Sequence, residues 1–214
     1  GMPRRSGRYP WGSGKDPYQN SRDFLGRVDQ MRKSGFTYTD EDGKTWTGDN
    51  AIAKSLGYSS SDFRTVNAIA KDQRRMDQVA TAKRLRDKEG MNPSEIGRKM
   101  GINESSVRSL LDENSASRMK EARNTAEYLK KQLEDQEYGM LDVGVGVNKQ
   151  LNVSKEKFDQ ALFMLQAEEG YHIYNGGVPQ VTNKGQQTTQ KVLAKPDVEY
   201  KQIYDYDKVG SVGN

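Results

Sequence analysis

The chain of 214 residues has no cysteine, a single histidine and no long apolar run. Without cysteine it can form no disulfide, no thiolate zinc site and no cysteine nucleophile. The single histidine, His172, excludes metal motifs that need two, and it lies in a predicted strand, where a lone histidine is usually structural. No segment approaches the 18 apolar residues of a membrane span. We therefore expect a protein of a reducing compartment that is not an enzyme and needs no cofactor or membrane.

Charged residues are abundant but almost balanced, with 34 Lys and Arg against 30 Asp and Glu, for a net charge of +4. The segment 64–88 alone carries eight cations against three carboxylates. The basic excess is therefore concentrated in this segment, which favours a local interaction with an anionic partner.

Changes of pattern along the chain predict a mainly α fold with small β elements. Glycine and proline are frequent at the start of the chain. The sequence FTYTDEDGKTWT at 36–47 is typical of a hairpin that turns at Asp42-Gly43, with Phe36, Tyr38 and Trp46 covering a helical core. The predicted segments are a flexible basic arm at 1–35, a hairpin and first helical unit at 36–75, a second helical unit with a long helix at 76–138, a third unit at 139–196, and a frayed tail at 197–214.

The most informative motif is PSEIGRKMGINESSVRSLL at 93–111. Asn92 is placed to cap a first helix that opens on Pro93, and Asn103 to cap a second. Gly97 is a small residue at the expected helix contact, and Gly101 suits a turn with positive φ. The inward positions are Ile96, Met100, Ile102, Val107, Leu110 and Leu111.

The same pattern fits DNAIAKSLGYSSSDFRTV, 44 residues earlier. Ala53 takes the place of Gly97, and Gly57 that of Gly101. Asp49 or Asn50 would cap the first helix and Ser59 the second. Both copies resemble the helix-turn-helix family, which implies two tandem three-helix units and binding to double-stranded DNA.

A looser third copy at 143–162 precedes short strands and a glycine-rich turn, and together they resemble a winged helix. Asn152 would occupy the turn and Ser154 would cap the last helix. With Phe158 inward, we expect an outward face that suits a phage or host protein better than phosphates. That face comprises Glu156, Asp159, Gln160 and Phe163. DNA contact by this unit would then use Lys184, Gln186 and Gln187 of the wing.

The outward faces of the two second helices are short and polar, and each carries one arginine, which can read guanine in the major groove. The first helices and the segment 64–88 add cations for phosphates. The predicted DNA-binding residues are Lys54, Ser61, Arg64, Thr65, Arg74, Arg75, Lys83, Arg84, Arg98, Lys99, Ser105, Arg108 and Ser109.

A stripe of small and apolar residues at 115–137 is spaced like a coiled-coil seam. It could pack on its own domain or form a homodimer contact. Its members are Met119, Ala122, Ala126, Leu129 and Leu133.

The segment SGRYPWGSGKDPYQ near the start resembles the starts of bacteriophage proteins, some of them virion-associated. The resemblance implies a phage or prophage origin, with the protein in the bacterial cytoplasm or in a virion. Two functions stay open. One is a DNA-binding regulator or DNA-associated factor, and the other is a virion structural or assembly protein whose helical units bind proteins.

Overall fold

The computed structural model describes residues 19–113, 116–179 and 187–213. The chain divides between Lys120 and Glu121 into two compact units. The described residues are mainly helical with two small sheets, so the predicted fold class is confirmed at this level. The predicted division into five segments stays a prediction.

The N-terminal unit contains five helices and a hairpin among its described residues. Its elements are α1 (Gln19–Lys33), β1 (Thr37–Thr39), β2 (Thr45–Thr47), α2 (Gly48–Ser55), α3 (Ser60–Asp87), α4 (Pro93–Met100) and α5 (Glu104–Asp112).

Helix α1 corrects the prediction of a flexible arm up to residue 35. Phe24, Leu25 and Val28 are buried, and α1 packs against α3. These three apolar residues recur at helical spacing, so they form a stripe that is stable once it is covered. The part of the predicted arm at 1–18 lies outside the described residues.

The predicted hairpin is present, with Tyr38 opposite Trp46 and a positive φ of 82° at Gly43. Phe36, Tyr38 and Trp46 are only half-buried. The Trp46 indole N–H donates a hydrogen bond to Asp40 at 2.9 Å, which holds the pKa of that carboxyl below its ordinary value.

Helix α3 is one continuous helix of 28 residues, about 42 Å long, where the sequence suggested a second helix followed by a separate packing helix. Its first half buries Phe63, Val66 and Ala70. Its second half buries Val79, Ala82 and Leu85. These three side chains form one cluster with Ile96, Val107 and Leu110. Val66 and Ala82 are 16 residues apart, about 160° around the axis, so the two cores lie on opposite faces of α3.

Helices α4 and α5 have the predicted ends. The Asn92 side chain and Glu95 form a reciprocal capping box at the start of α4, and Asn103 accepts from the Ser106 N–H at 2.7 Å. Gly101 adopts a left-handed φ of 73°. A Cβ on Gly97 would lie 2.7 Å from the Ile102 carbonyl oxygen, which explains the glycine at this helix contact.

The C-terminal unit combines helices with a four-stranded sheet. The helices are α6 (Ala116–Glu134), which begins just before the division, α7 (Val147–Gln150) and α8 (Lys155–Glu169). The strands are β3 (Met140–Asp142), β4 (His172–Pro179), β5 (Gln187–Ala194) and β6 (Gly210–Ser211), in the sheet order β4-β5-β3-β6. Only the β3–β6 pair is parallel.

The stripe on α6 is buried within a single chain, so the predicted homodimer seam is wrong and the alternative, packing on its own domain, is confirmed. All five side chains are less than 9% exposed: Met119, Ala122, Ala126, Leu129 and Leu133. Ion pairs join α6 to α8, from Arg123 to Glu168 at 2.7 Å and from Lys130 to Glu169 at 3.0 Å.

Helix α8 begins at the predicted cap, Ser154, after a left-handed Asn152 with φ 57°. Its predicted outward face is partly wrong, because Gln160 and Phe163 are buried and Asp159 is half-buried. The helix is apolar around most of its circumference, which a pattern anchored on Phe158 alone does not show.

The predicted frayed tail is ordered over 197–213. It forms two 3₁₀ turns, Tyr200–Tyr204 and Tyr206–Lys208, and then β6. Val198 and Ile203 belong to the core of the C-terminal unit together with Met140, Val192 and Ala194. Apolar residues spaced irregularly in a polar segment give no helical or strand period, so their burial was not predicted.

Candidate nucleic-acid interface

A polar, cationic strip lies on the first half of α3, opposite the core that this half covers. We call it the α3 ridge, formed by the exposed residues Ser61, Arg64 and Lys71. Arg64 and Lys71 are seven residues apart and therefore lie within about 20° of each other around the helix. Within the described part of the chain, no carboxylate forms an ion pair with Arg64 or Lys71.

Local sequence fixes the direction of the α3 ridge. Gly57 takes a left-handed φ of 81° that ends the turn after α2. Ser59 then caps α3 by accepting from the Asp62 N–H at 3.1 Å. Phe63 is buried next to the cap, which turns Arg64 outward. The predicted cap at Asp49 or Asn50 is wrong, because α2 begins at Gly48.

Helix α5 packs on the side of α3 that carries the α3 ridge. Arg75 follows Arg64 by 11 residues, about 16 Å along the axis and within about 20° around it. The Arg75 guanidinium donates to the Ser109 hydroxyl of α5 at 3.2 Å. Helix α5 therefore packs on the face of α3 that carries Arg64 further toward its N-terminus.

Helix α5 presents the predicted second set of outward residues, Ser105, Arg108 and Ser109, which we call the α5 ridge. All three are exposed. Arg108 is paired with Glu104 at 2.6 Å, and the exposed Asp112 lies one turn further on. The α5 ridge thus has the predicted residues but a more acidic setting than the α3 ridge.

Two predicted phosphate contacts, Arg75 and Lys83, are engaged inside the unit. Arg75 forms an ion pair with Glu113 at 2.6 Å, and both side chains are less than a third exposed. The Lys83 ammonium donates to the Glu113 carbonyl oxygen at 2.8 Å. These contacts fasten the end of α5 to α3, so we assign both cations a structural role.

Lys54 is also engaged, in this case with the hairpin. Its ammonium lies 4.2 Å from the centre of the Trp46 ring, and that of Lys44 lies 4.0 Å from it. Cation–π contacts of this kind hold a side chain without neutralising it. Lys54 remains exposed and charged beside the turn that precedes α3.

The remaining predicted residues are spread around the N-terminal unit. Arg98 and Lys99 are exposed in the last turn of α4, and Thr65 is half-buried. Arg74 is exposed at about 80° from Arg64 around α3. Arg84 follows Arg64 by 20 residues and therefore lies on the opposite face, where it pairs with Glu89 at 3.5 Å.

Lys71 lies on the α3 ridge but is not among the predicted binding residues. The seven-residue spacing from Arg64 is the signal that could have identified it.

Helix α8, the last helix of the third predicted copy, has little exposed surface. Glu156 is exposed near the start of α8, while most of that helix is buried. The predicted wing residues Lys184 and Gln186, and the side chain of Gln187, lie outside the described part of the structure. The His172 ring nitrogen Nε2 lies 3.0 Å from the Pro196 carbonyl oxygen, and the ring stacks on Tyr174. Among the described residues, no carboxylate forms a hydrogen bond with His172.

Across the described ranges, no group of three or more potential metal ligands occurs and no helix is long and apolar enough to cross a membrane. Comparisons of the chain with protein-family models, with curated proteins and with solved structures find no match.

Proposed function

We propose that this is a DNA-binding protein whose N-terminal unit carries two helix-turn-helix motifs, one that includes the start of α3 and one that packs on α3. The first motif is α2 with the start of α3, and the second is α4 with α5. The observation that carries the proposal is the α3 ridge, an exposed cationic strip on the second helix of the first motif with no carboxylate partner among the described residues.

In this proposal the α3 ridge enters the major groove. Arg64 is placed near the N-terminal end of the helix, where the second helix of such a motif contacts bases. Its free guanidinium can donate two hydrogen bonds to guanine, and Ser61 can donate one. Lys71, about two turns further along, reaches phosphates at the edge of the groove.

The α5 ridge approaches the same duplex from the same side of α3, with Arg98 and Lys99 of α4 as further phosphate contacts. Its share of the binding is smaller, because Arg108 must first leave Glu104. The two motifs are thus alike in their buried residues and differ in the pairing of their exposed arginines.

The C-terminal unit has the element order of a winged helix: α6, β3, α7, α8, and then the hairpin of β4 and β5. We propose that it is a winged-helix-like module that binds a protein. The burial of most of α8 supports this, because the helix that would read DNA in a winged helix has little free surface here.

A salt titration tests the DNA proposal. The full chain is mixed with a fluorescent duplex of mixed sequence, and the dissociation constant is measured by anisotropy at increasing NaCl. Binding that depends on contacts between cationic side chains and DNA phosphates should weaken steeply as the salt concentration rises. We expect Arg64→Ala to weaken binding about tenfold and to lower the salt slope by about one.

Arg84→Ala is the matched control, since it removes an exposed arginine from the opposite face of the same helix. Its dissociation constant should stay within about twofold of the parent value, because a distant charge contributes only a screened effect. Equal losses for the two variants, or no binding at 50 mM salt, would refute the proposal.

A second candidate is a virion structural or assembly protein, favoured by the carboxylates on α5 and by the intramolecular use of Arg75 and Lys83. In that case the helical units bind proteins. The same titration separates the two candidates, because an architectural role predicts no change with Arg64→Ala.

A further inference from the structure

A row of half-exposed aromatic rings crosses one surface of the C-terminal unit. We call it the tyrosine row: Tyr174 of β4, Tyr200 and Tyr204 of the first 3₁₀ turn, and Tyr206 of the second. Successive ring centroids are 5.6, 5.7 and 6.4 Å apart, and neighbouring rings meet edge to face. Tyr200, Tyr204 and Tyr206 are 47, 41 and 43% exposed, so the row is an unusually large aromatic surface for a small unit.

Hydrogen bonds and close packing fix the rings in place. The Tyr174 hydroxyl donates to the Val198 carbonyl at 2.7 Å, and the Tyr200 hydroxyl donates to the Asn175 carbonyl at 2.9 Å. Gly176 leaves the space that Tyr204 occupies, since a Cβ there would lie 3.0 Å from the Tyr204 hydroxyl. A surface ordered in advance loses little entropy when it binds a ligand.

The surroundings of the row are acidic. The segment 197–213 holds four carboxylates and two lysines. Both lysines pair with neighbours, Lys201 with Glu199 at 3.4 Å and Lys208 with Asp205 at 3.2 Å. Asp207 adds an exposed carboxylate beside Tyr206. Negative charge next to exposed rings repels a phosphate backbone and attracts a cationic ligand.

We propose that the tyrosine row binds an extended segment of a partner protein that combines proline with arginine. Exposed aromatic rings held at fixed spacing are the kind of surface on which prolines of a polyproline II segment pack. Arginines of the same segment pair with the exposed Asp207 or lie over the rings. This site is independent of the α3 ridge, and its existence does not depend on DNA binding.

The test uses the full chain and a fluorescent peptide with Arg-Pro-Pro repeated three times, titrated by anisotropy. The expected result is saturable binding that weakens about tenfold in Tyr206→Ser and in Asp207→Lys. A peptide with Glu-Pro-Pro repeated three times should not bind. Tyr206 lies at the end of the row, so its removal leaves the hydrogen bonds of Tyr174 and Tyr200 intact.

Tyr128→Ser is the matched control, because Tyr128 is 40% exposed on α6 and does not belong to the row. Its affinity for the peptide should equal that of the parent chain, and thermal unfolding should confirm that all variants remain folded. The proposal is wrong if the arginine peptide does not bind, if Tyr128→Ser and Tyr206→Ser weaken it equally, or if a thymidine oligonucleotide binds the row in preference to the peptide.

Discussion

The two motifs of the N-terminal unit have one pattern of buried residues, and α3 is part of the first and a packing partner of the second, yet their charged residues are paired differently. In the first motif the fastening ion pair joins Arg32 of α1 to Asp49 of α2 at 2.9 Å, and the charge of the ridge residue Lys71 also lowers the pKa of Asp49. In the second motif the fastening pair is Arg75 with Glu113, on the side of α3 where α5 packs.

This difference determines which cations remain for a ligand. Arg64 and Lys71 stay unpaired among the described residues, whereas Arg108 is paired with Glu104 and Arg75 with Glu113. Two motifs with the same pattern of buried residues can therefore differ in how many of their cations are held in ion pairs. Charge pairing, which a residue count does not show, separates the two ridges.

The largest expected effect concerns the packing of the second motif, where Gly97 stands in the place of the buried Ala53 of the first. Gly97→Ala would bring a Cβ to 2.7 Å from the Ile102 backbone oxygen. We expect the free energy of unfolding to fall by about 1–3 kcal/mol in chemical denaturation, because overpacking against backbone is not relieved by a rotamer change.

Gly26→Ala is the control for this change. Gly26 lies in α1 with no heavy atom within 4 Å of an added Cβ and with no positive φ. The same substitution there should raise stability by about 0.5–1 kcal/mol through helix propensity. If both variants are stabilised, the close contact of α4 with the turn is not present in solution.

A smaller effect is expected on the α5 ridge, and it rests on the proposed DNA binding. Glu104→Gln releases Arg108 from its ion pair and removes a negative charge from the ridge. We expect DNA affinity to rise about two- to threefold in anisotropy, since an exposed pair of this type contributes below about 1 kcal/mol. Arg108→Ala in the parent chain should cost less affinity than Arg64→Ala.

Glu89→Gln is the matched control for Glu104→Gln. It releases Arg84, which lies on the opposite face of α3 from the ridges. Its effect on DNA affinity should be smaller than that of Glu104→Gln. An equal rise in both variants would mean that net charge alone governs binding and that the two ridges are not distinct surfaces.

Local rules in the sequence predicted the parts of the fold that depend on neighbouring residues. The hairpin, the caps at Ser59, Asn92 and Asn103, and the left-handed turn at Gly101 all follow from side-chain and backbone geometry within a few residues. The position of α1 did not follow, because its apolar stripe is short and lies next to a glycine- and proline-rich segment.

Long-range contacts were beyond the reach of the sequence pattern. The continuity of α3 makes it a shared helix, and the patterns of its two halves fit separate units equally well. Arg75 and Lys83 pair with Glu113, which is at least 30 positions away in the sequence. A local pattern does not show these contacts, and it therefore predicts both cations as phosphate contacts. The burial of Gln160 and Phe163 in α8 also depends on long-range contacts, so the local pattern does not predict it.

The smallest effect concerns the fastening pair of the first motif. The hydrogen bond from Arg32 holds the pKa of Asp49 below its ordinary value. A carboxyl whose pKa is lower in the folded state stabilises the fold above its unfolded pKa and loses that contribution as the pH falls through the folded pKa. Stability should therefore begin to decline as the pH falls below about 5 and should go on declining through the lowered folded pKa of Asp49, by less than about 1 kcal/mol because Asp49 is largely exposed.

Asp49→Asn should be less stable than the parent chain at pH 7 and should show a shallower acid decline, with the two curves converging once the pH lies below the folded pKa of Asp49. Glu41→Gln removes one exposed negative charge from the hairpin turn without touching this ion pair, and so controls for net charge. Denaturation by urea across the pH range gives the comparison. Parallel curves for Asp49→Asn and the parent would show that the ion pair of Arg32 with Asp49 does not stabilise the packing of α1 on α2. The comparison of this pair with that of Arg75 and Glu113 would then no longer hold.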